Sequence, residues 1–111
     1  MNPEPLDGLD FTEAVLSLVE EIPPGRVLTY GLIAERLGCG GPRQVGGVMA
    51  RDGHAVPWWR VVRADGLLPA YLMGQAQQEW SRERTPVKRG RVDITQAVWS
   101  PAAGPENVSA V

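Results

Sequence analysis

Four segments of the chain combine apolar positions with the local signals that begin and end helices. The first helix follows Asp10, an N-cap residue with Glu13 three positions later, and it ends before Pro23-Pro24-Gly25. Its apolar residues recur at helical spacing, which predicts one buried face. The other three helices are predicted at Tyr30–Leu37, Pro42–Arg51 and Gln75–Arg84.

A short apolar segment with the sequence VPWWRVV, at Val56–Val62, is predicted to form a strand. Neighbouring side chains of a strand point to opposite faces, so Trp58 and Trp59 cannot both fill the same core. Trp80 is predicted to be the buried anchor of the fourth helix. One of the two adjacent tryptophans therefore faces something other than the core.

The second and third predicted helices, joined by the glycine-containing turn Gly38–Gly41, have the pattern of a helix-turn-helix. Thr29 is a good N-cap for the first of the pair, and Pro42 suits the first position of the second. Gly46 and Gly47 lie inside the third helix, where each glycine lowers the stability of the helix by about 1 kcal/mol relative to alanine. Two interpretations stay open: close packing against the first helix, or close approach of the helix backbone to a bulky ligand.

The length of 111 residues predicts a single domain that is mostly α with short strands and is winged-helix-like. We expect the domain to span residues 10–100, with a loose lead-in at 1–9 and a disordered tail at 101–111. No segment has the length of a membrane span, and the first residues do not resemble a signal peptide. The single cysteine, Cys39, fits a reducing cytoplasm, and with one histidine no metal site is expected. We expect a monomer.

Charge is unevenly distributed, although the formal net charge is only −2. Residues 1–25 hold six acids and no base. Residues 26–91 hold all eleven lysines and arginines against five acids, a local charge of +6. Phosphates respond to the local potential, so this segment is compatible with nucleic-acid binding. A mixed, solvated surface without a ligand stays open on charge alone.

Residues suited to binding are more numerous than residues suited to catalysis. Cys39 lies in a glycine turn without a neighbouring histidine, and the chain has no glycine-rich phosphate loop. Cations for phosphates and flat side chains for bases are what a protein needs to hold an unstacked nucleotide. The cations are Arg43, Arg51, Arg60 and Arg63, followed by the cluster Arg82, Arg84, Lys88, Arg89 and Arg91. The interspersed aromatic residues are Tyr30, Trp58, Trp59 and Tyr71.

Three separated motifs carry a family resemblance. They are IPPGRVLTY at Ile22–Tyr30, RQVGG at Arg43–Gly47 and PWWRV at Pro57–Val61. In this order they resemble the entry motif, the recognition helix RAVGG and the active-site strand PCHRV of the O6-alkylguanine-DNA alkyltransferases. The resemblance covers about residues 10–85 and implies the helix-turn-helix fold of that family's C-terminal domain.

The departures from the family pattern fall on its reactive groups. Trp58 stands at the position of the reactive cysteine and Trp59 at that of the activating histidine, and the relay acid would fall near Thr85. Indole cannot accept an alkyl group as a thiolate does, so the resemblance implies that the chain has no catalytic residue. It implies an alkyltransferase-like protein, which binds O6-alkylguanine in double-stranded DNA, flips the base and directs the lesion to nucleotide excision repair proteins. No cofactor is implied.

The resemblance also assigns roles to single residues. Arg43 is the finger that fills the gap left by the flipped base, and Tyr30 helps to turn the phosphate beside it. Tyr71 belongs to a loop that closes over the base, while Trp58 lines the pocket and Trp59 packs behind it. The predicted DNA-binding residues are Tyr30, Arg43, Gly46, Gly47, Arg51 and Arg60, and the predicted lesion pocket contains Trp58 and Tyr71.

Two alternatives belong to other classes of protein. One is a helix-turn-helix regulator that reads undamaged DNA in the major groove, although Gly46 and Gly47 leave its third helix poor in side chains that contact base edges. The other is an enzyme that uses Cys39. A cytoplasmic location, on the nucleoid if the source is bacterial, is expected for the lesion-binding protein.

Overall fold

The computed structural model describes residues 8–100. The helices are α1 at Gly8–Glu21, α2 at Tyr30–Leu37, α3 at Pro42–Asp52, α4 at Ala70–Glu83 and α5 at Ile94–Ala97. The strands are β1 at Leu28–Thr29, β2 at Val61–Val62, β3 at Val87–Lys88 and β4 at Arg91–Val92. The predicted fold class, mostly helical with short strands, is confirmed. Most of the predicted lead-in and the whole predicted tail lie outside the described residues.

The helix pair α2–α3 forms where local sequence signals place it. The Thr29 hydroxyl accepts a hydrogen bond of 3.1 Å from the backbone N–H of Leu32, which caps the start of α2. Gly38 ends α2 in the left-handed conformation, with φ of 74°, and Pro42 opens α3. Both helices pack on α1 through a buried apolar cluster. Its members include Val15, Val19, Ile33, Val45 and Val48.

A two-stranded ladder separates this cluster from a second one. Strands β1 and β2 are parallel, with Leu28 opposite Val61. These two side chains belong to the first cluster, whereas Val62 belongs to the second because side chains alternate along a strand. Trp80 of α4 is 1% exposed in the second cluster, which confirms its predicted role as a buried anchor.

Three predicted element boundaries are wrong. Asp10 lies within the first turn of α1, which spans Gly8–Glu21, and is not its N-cap. Helix α4 begins at Ala70, directly after a proline that favours a helix start, so Tyr71 lies on a helix and not in a loop. The segment Val56–Val62 is a strand only at its last two residues. With Leu28 opposite Val61 in a parallel ladder, residues 58–60 would have to pair with residues 25–27. The backbone of Val27 is instead bonded to Ala97 and Trp99, and the N–H of Arg26 closes a turn onto Pro23.

None of the helices within residues 8–100 combines the length and the apolar character that spanning a membrane requires.

Candidate nucleic-acid interface

A cavity of about 270 Å³ lies between α3, the segment that precedes β2, and the start of α4. This volume is near the lower end of the range of roughly 300–1,000 Å³ for small-ligand sites. Among the eight residues predicted for the site, the structure brings four together here. They are Tyr30, Gly46, Trp58 and Tyr71. The remaining lining residues are Met49, Ala50, Gly53, His54, Leu68, Pro69 and Leu72, none of which the sequence analysis identified.

The two adjacent tryptophans diverge because they lie in a single turn of 3₁₀-helix, Trp58–Arg60, and not in a strand. Three residues per turn rotate successive side chains by about a third of a circle. Trp58 therefore lines the cavity while Trp59 packs behind it, with ring centroids 5.5 Å apart and planes at 83°. This edge-to-face contact gives the Trp58 ring a rigid support.

The Glu83 carboxylate holds this turn in place. It accepts a hydrogen bond of 3.0 Å from the indole N–H of Trp59, one of 3.0 Å from Nε of Arg60, and one of 3.2 Å from the backbone N–H of Gly25. Nη1 of Arg60 also donates to the carbonyl of Ile22, at 2.8 Å. Glu83 thereby joins the end of α4, the turn after α1 and the tryptophan turn.

Arg60 is consequently not available to DNA as the sequence analysis expected. Its side chain is only 14% exposed and is paired with a Glu83 carboxylate that is 9% exposed. We therefore remove Arg60 from the candidate interface. The resemblance aligned the family's relay acid with a position near Thr85, where no carboxylate stands. Thr85 is buried, and the carboxylate that contacts Trp59 is that of Glu83, two residues earlier, which the sequence analysis missed. Nothing in the sequence pairs Glu83 with Arg60, 23 residues away.

Two pKa shifts follow from these surroundings. Burial raises the pKa of Glu83, but the hydrogen bonds from Arg60, Trp59 and Gly25 outweigh it, so the pKa lies below its usual value. Burial raises the pKa of the Tyr30 hydroxyl. Tyr30 at the cavity therefore stays protonated at neutral pH and can donate a hydrogen bond to a phosphate oxygen.

Helix α3 presents an open backbone at its two glycines. Apart from its chain neighbours and the adjacent backbone of α3, a Cβ atom added at Gly46 would meet no described atom within 4 Å, and one at Gly47 would approach only the end of the flexible Arg51 side chain, at 3.2 Å. The interpretation that these glycines pack closely against α1 is therefore wrong. The close-approach interpretation is favoured, because any large molecule that docks on α3 can contact its backbone here.

The remaining predicted cations lie at the two ends of α3. Arg43 is in its first turn and exposed, and it forms no ion pair within residues 8–100. Arg51 is in the last turn, 65% exposed, with Nε 4.0 Å from the Asp52 carboxylate. An exposed ion pair at that distance contributes little to stability, so Arg51 can readily exchange it for a contact with a phosphate. Neither arginine is among the described residues that line the cavity, and neither is Cys39.

Comparisons with known proteins agree with this geometry. The family model for the 6-O-methylguanine DNA methyltransferase DNA-binding domain matches residues 10–85. The chain is 43% identical over 96 residues to the DNA base-flipping protein of Escherichia coli (strain K12), a match that covers 81% of this chain and 74% of the relative.

Solved structures show the same fold. The structure of S. pombe Atl1 in complex with damaged DNA containing O6-carboxymethylguanine superposes with a TM-score of 0.75 at 27% identity. That match covers 86% of this chain and all of Atl1. A variant of the M. tuberculosis O6-methylguanine methyltransferase matches with a TM-score of 0.60 at 29% identity, over 86% of this chain and 60% of that one. The fold implied by the sequence motifs is thus confirmed.

Proposed function

Because this chain belongs to the family of the 6-O-methylguanine DNA methyltransferase DNA-binding domain and resembles its alkyltransferase-like members, we propose that it is a non-enzymatic sensor of alkylated DNA. It binds O6-alkylguanine in a duplex, flips the damaged base into the cavity and flags the lesion for nucleotide excision repair. The observation that carries the proposal is the position of Trp58. Its indole lines the cavity at the point where the family resemblance places the reactive cysteine.

The surroundings of the cavity suit a flipped base. Trp58 and Tyr71 supply flat faces for stacking, and the phenol of Tyr30 supplies a donor for the displaced backbone. The open backbone at Gly46 lets a duplex approach α3 closely. Arg43, in the first turn of the same helix, is the side chain to which we assign the gap left in the base stack. Each part of base flipping therefore has a residue beside the cavity or on α3.

We expect the protein to remove no alkyl group from DNA. Alkyl transfer needs a thiolate and a base to activate it, and two indoles occupy those positions. After prolonged incubation with a duplex containing O6-methylguanine, nucleoside analysis should find no restored guanine above a protein-free control. Mass spectrometry should find no methyl group on the protein, and an active alkyltransferase serves as the positive control. Methylated Cys39 would instead favour the enzyme alternative.

The experiment that tests the proposal is competition binding between two duplexes that differ only in one O6-methylguanine. A lesion sensor prefers the alkylated duplex in any sequence context. A regulator that reads base edges binds its undamaged operator, and for such a protein the lesion makes no difference. Equal affinity for the two duplexes in several sequence contexts would overturn the proposal.

Replacing Arg43 with alanine should lower the affinity for alkylated DNA by about tenfold or more while leaving the melting temperature unchanged. Unstacking a base costs a few kcal/mol, part of which an inserted side chain offsets. Arg43 is an exposed helix residue and contributes little to the core. Titration of a lesion duplex measures the change.

The matched control is Arg82→Ala, which removes the same charge from an exposed position on α4. It should lower the affinity only slightly. If both variants bind alike, Arg43 acts through its charge alone and is not the finger.

A further inference from the structure

The hairpin β3–β4 concentrates positive charge in four consecutive residues, Lys88–Arg91. Lys88 and Arg91 lie directly opposite each other in the antiparallel ladder. Arg89 and Gly90 form the two-residue turn between them, with φ of 56° and 80°. All four residues are exposed. None of them has a part in the function proposed above.

Two features of this hairpin are unfavourable for the protein alone. Like charges directly opposite each other in a ladder repel. A two-residue turn with φ positive at both positions favours asparagine or glycine at its first position, where this chain has Arg89. Lys88 and Arg89 form no ion pair within residues 8–100, and Arg91 donates only to the backbone carbonyl of Asp65, at 3.3 Å. An anionic partner would relieve the repulsion.

The hairpin is connected to the cavity through the loop at 63–69. The backbone N–H of Val92 donates to the carbonyl of Gly66 at 3.0 Å, which fixes the loop to β4. Leu68 and Pro69, at the other end of this loop, line the cavity. The loop therefore forms one wall of the cavity while α3 forms another, and the cationic hairpin lies behind the loop.

Two acids lie near the hairpin, and only one of them has a cationic partner. The Asp65 carboxylate accepts from the backbone N–H of Leu67 at 3.0 Å and lies 3.6 Å from Nε of Arg63. The Asp93 carboxylate accepts from the hydroxyl of Thr95 at 2.7 Å. Both carboxylates line the same shallow groove as Lys88, Arg89 and Arg91. Because Asp65 is already paired with Arg63, only Asp93 offsets the charge of the three cations there.

We propose that Lys88, Arg89 and Arg91 bind the phosphate backbone of the duplex beside the lesion, as a second DNA contact separate from α3. The proposal rests on the proposed function only in taking duplex DNA as the ligand. Contacts to phosphate position a duplex without reading its sequence. A contact behind the cavity wall, together with α3, would hold the DNA on two sides while the damaged base is turned out.

The test compares the salt dependence of DNA binding in two variants with that of the wild type. Removing one cation that binds a phosphate reduces the slope of log K against log salt concentration by about one. Lys88→Gln combined with Arg91→Gln should reduce the slope by about two and the affinity at low salt by about tenfold or more. The reduction should be the same for damaged and undamaged duplexes, so the preference for the lesion should stay unchanged.

A second variant distinguishes a loss of DNA binding from a loss of the fold. Arg89→Asn removes one charge and places a residue that tolerates positive φ in the turn, so its melting temperature should be unchanged or higher. Its affinity for DNA should nevertheless fall and its salt slope should drop by about one. Arg82→Gln is the charge control. The sequence analysis grouped Arg82 with these cations, but the structure pairs its Nη1 with the Glu79 carboxylate at 3.3 Å, so this variant should leave the slope unchanged.

The two proposals fail in different ways. If the hairpin variants keep the wild-type slope while the wild type still prefers the alkylated duplex, the hairpin proposal is overturned and lesion sensing stands. If the slopes fall as expected but the wild type shows no preference for the lesion, DNA binding by the hairpin stands and lesion sensing fails.

Discussion

Replacing Glu83 with alanine should destabilise the fold by about 3 kcal/mol and lower the melting temperature by about 12–24 °C. The substitution leaves the guanidinium of Arg60 largely buried without its counterion and removes the acceptor for the indole N–H of Trp59. Breaking one partner of a buried pair costs about 3–5 kcal/mol. The lower end applies because Arg60 keeps its hydrogen bond to the carbonyl of Ile22 and is 14% exposed.

The control for this substitution is Glu35→Ala, since Glu35 is an exposed acid in the interior of α2. It should change the free energy of unfolding by no more than about 0.5 kcal/mol. Thermal and denaturant unfolding measure both variants. If Glu83→Ala were as stable as Glu35→Ala, the link between α4 and the tryptophan turn would contribute nothing to the fold.

The Glu83 pair also predicts how stability depends on pH. The pKa of Glu83 is lower in the folded protein than its ordinary value of 4.5. Its contribution is therefore fully present above that unfolded-state value and is lost as the pH falls through the lowered folded-state value. Glu83→Gln cannot ionise, so the stability difference between wild type and this variant should be constant at neutral pH and shrink below about pH 4.5.

Replacing Trp58 with alanine should remove most of the preference for alkylated DNA. Stacking between an aromatic side chain and a base contributes about 1–3 kcal/mol, so the ratio of affinities for damaged and undamaged duplexes should fall roughly tenfold to hundredfold. Trp58 lines the cavity and carries no charge. The affinity for undamaged duplex and its salt dependence should consequently stay as in the wild type. Competition binding and a salt series measure the two quantities.

Trp59→Ala is the matched variant for Trp58→Ala, because it removes the same side chain from the next position. Both indoles pack against the second apolar cluster, but only the Trp59 indole donates to Glu83, so its loss should lower stability more than the loss of Trp58. We expect the lower part of the range of about 3–5 kcal/mol for tryptophan truncation, since Trp59 is only half-buried. Both kinds of DNA binding should weaken together through unfolding. A stable Trp59→Ala variant that no longer distinguishes the lesion would assign the pocket to the other tryptophan.

The sequence by itself determined the elements whose signals are local. The cap at Thr29, the left-handed Gly38 and the first-turn Pro42 lie within or next to α2 and α3, so both helices could be predicted almost to the residue. Trp80 could be identified as a core residue in the same way, since a large apolar side chain on a helix with few others must be its buried anchor. The three motifs, in their order along the chain, were enough to indicate the family.

Only the tertiary structure decided what depends on pairs of residues that are distant in the chain. Whether VPWWRVV forms a strand depended on the residues just before β1, about 30 positions earlier, where the backbone of Val27 is already bonded to Ala97 and Trp99. The single turn of 3₁₀-helix that results turns Trp58 to the cavity, which the assumed strand could not have specified. Whether Arg60 faces DNA or the interior depended on Glu83, which lies 23 residues later, at the end of α4. An arginine in a basic segment has the same local sequence in both cases, and only the folded chain shows which anion neutralises it.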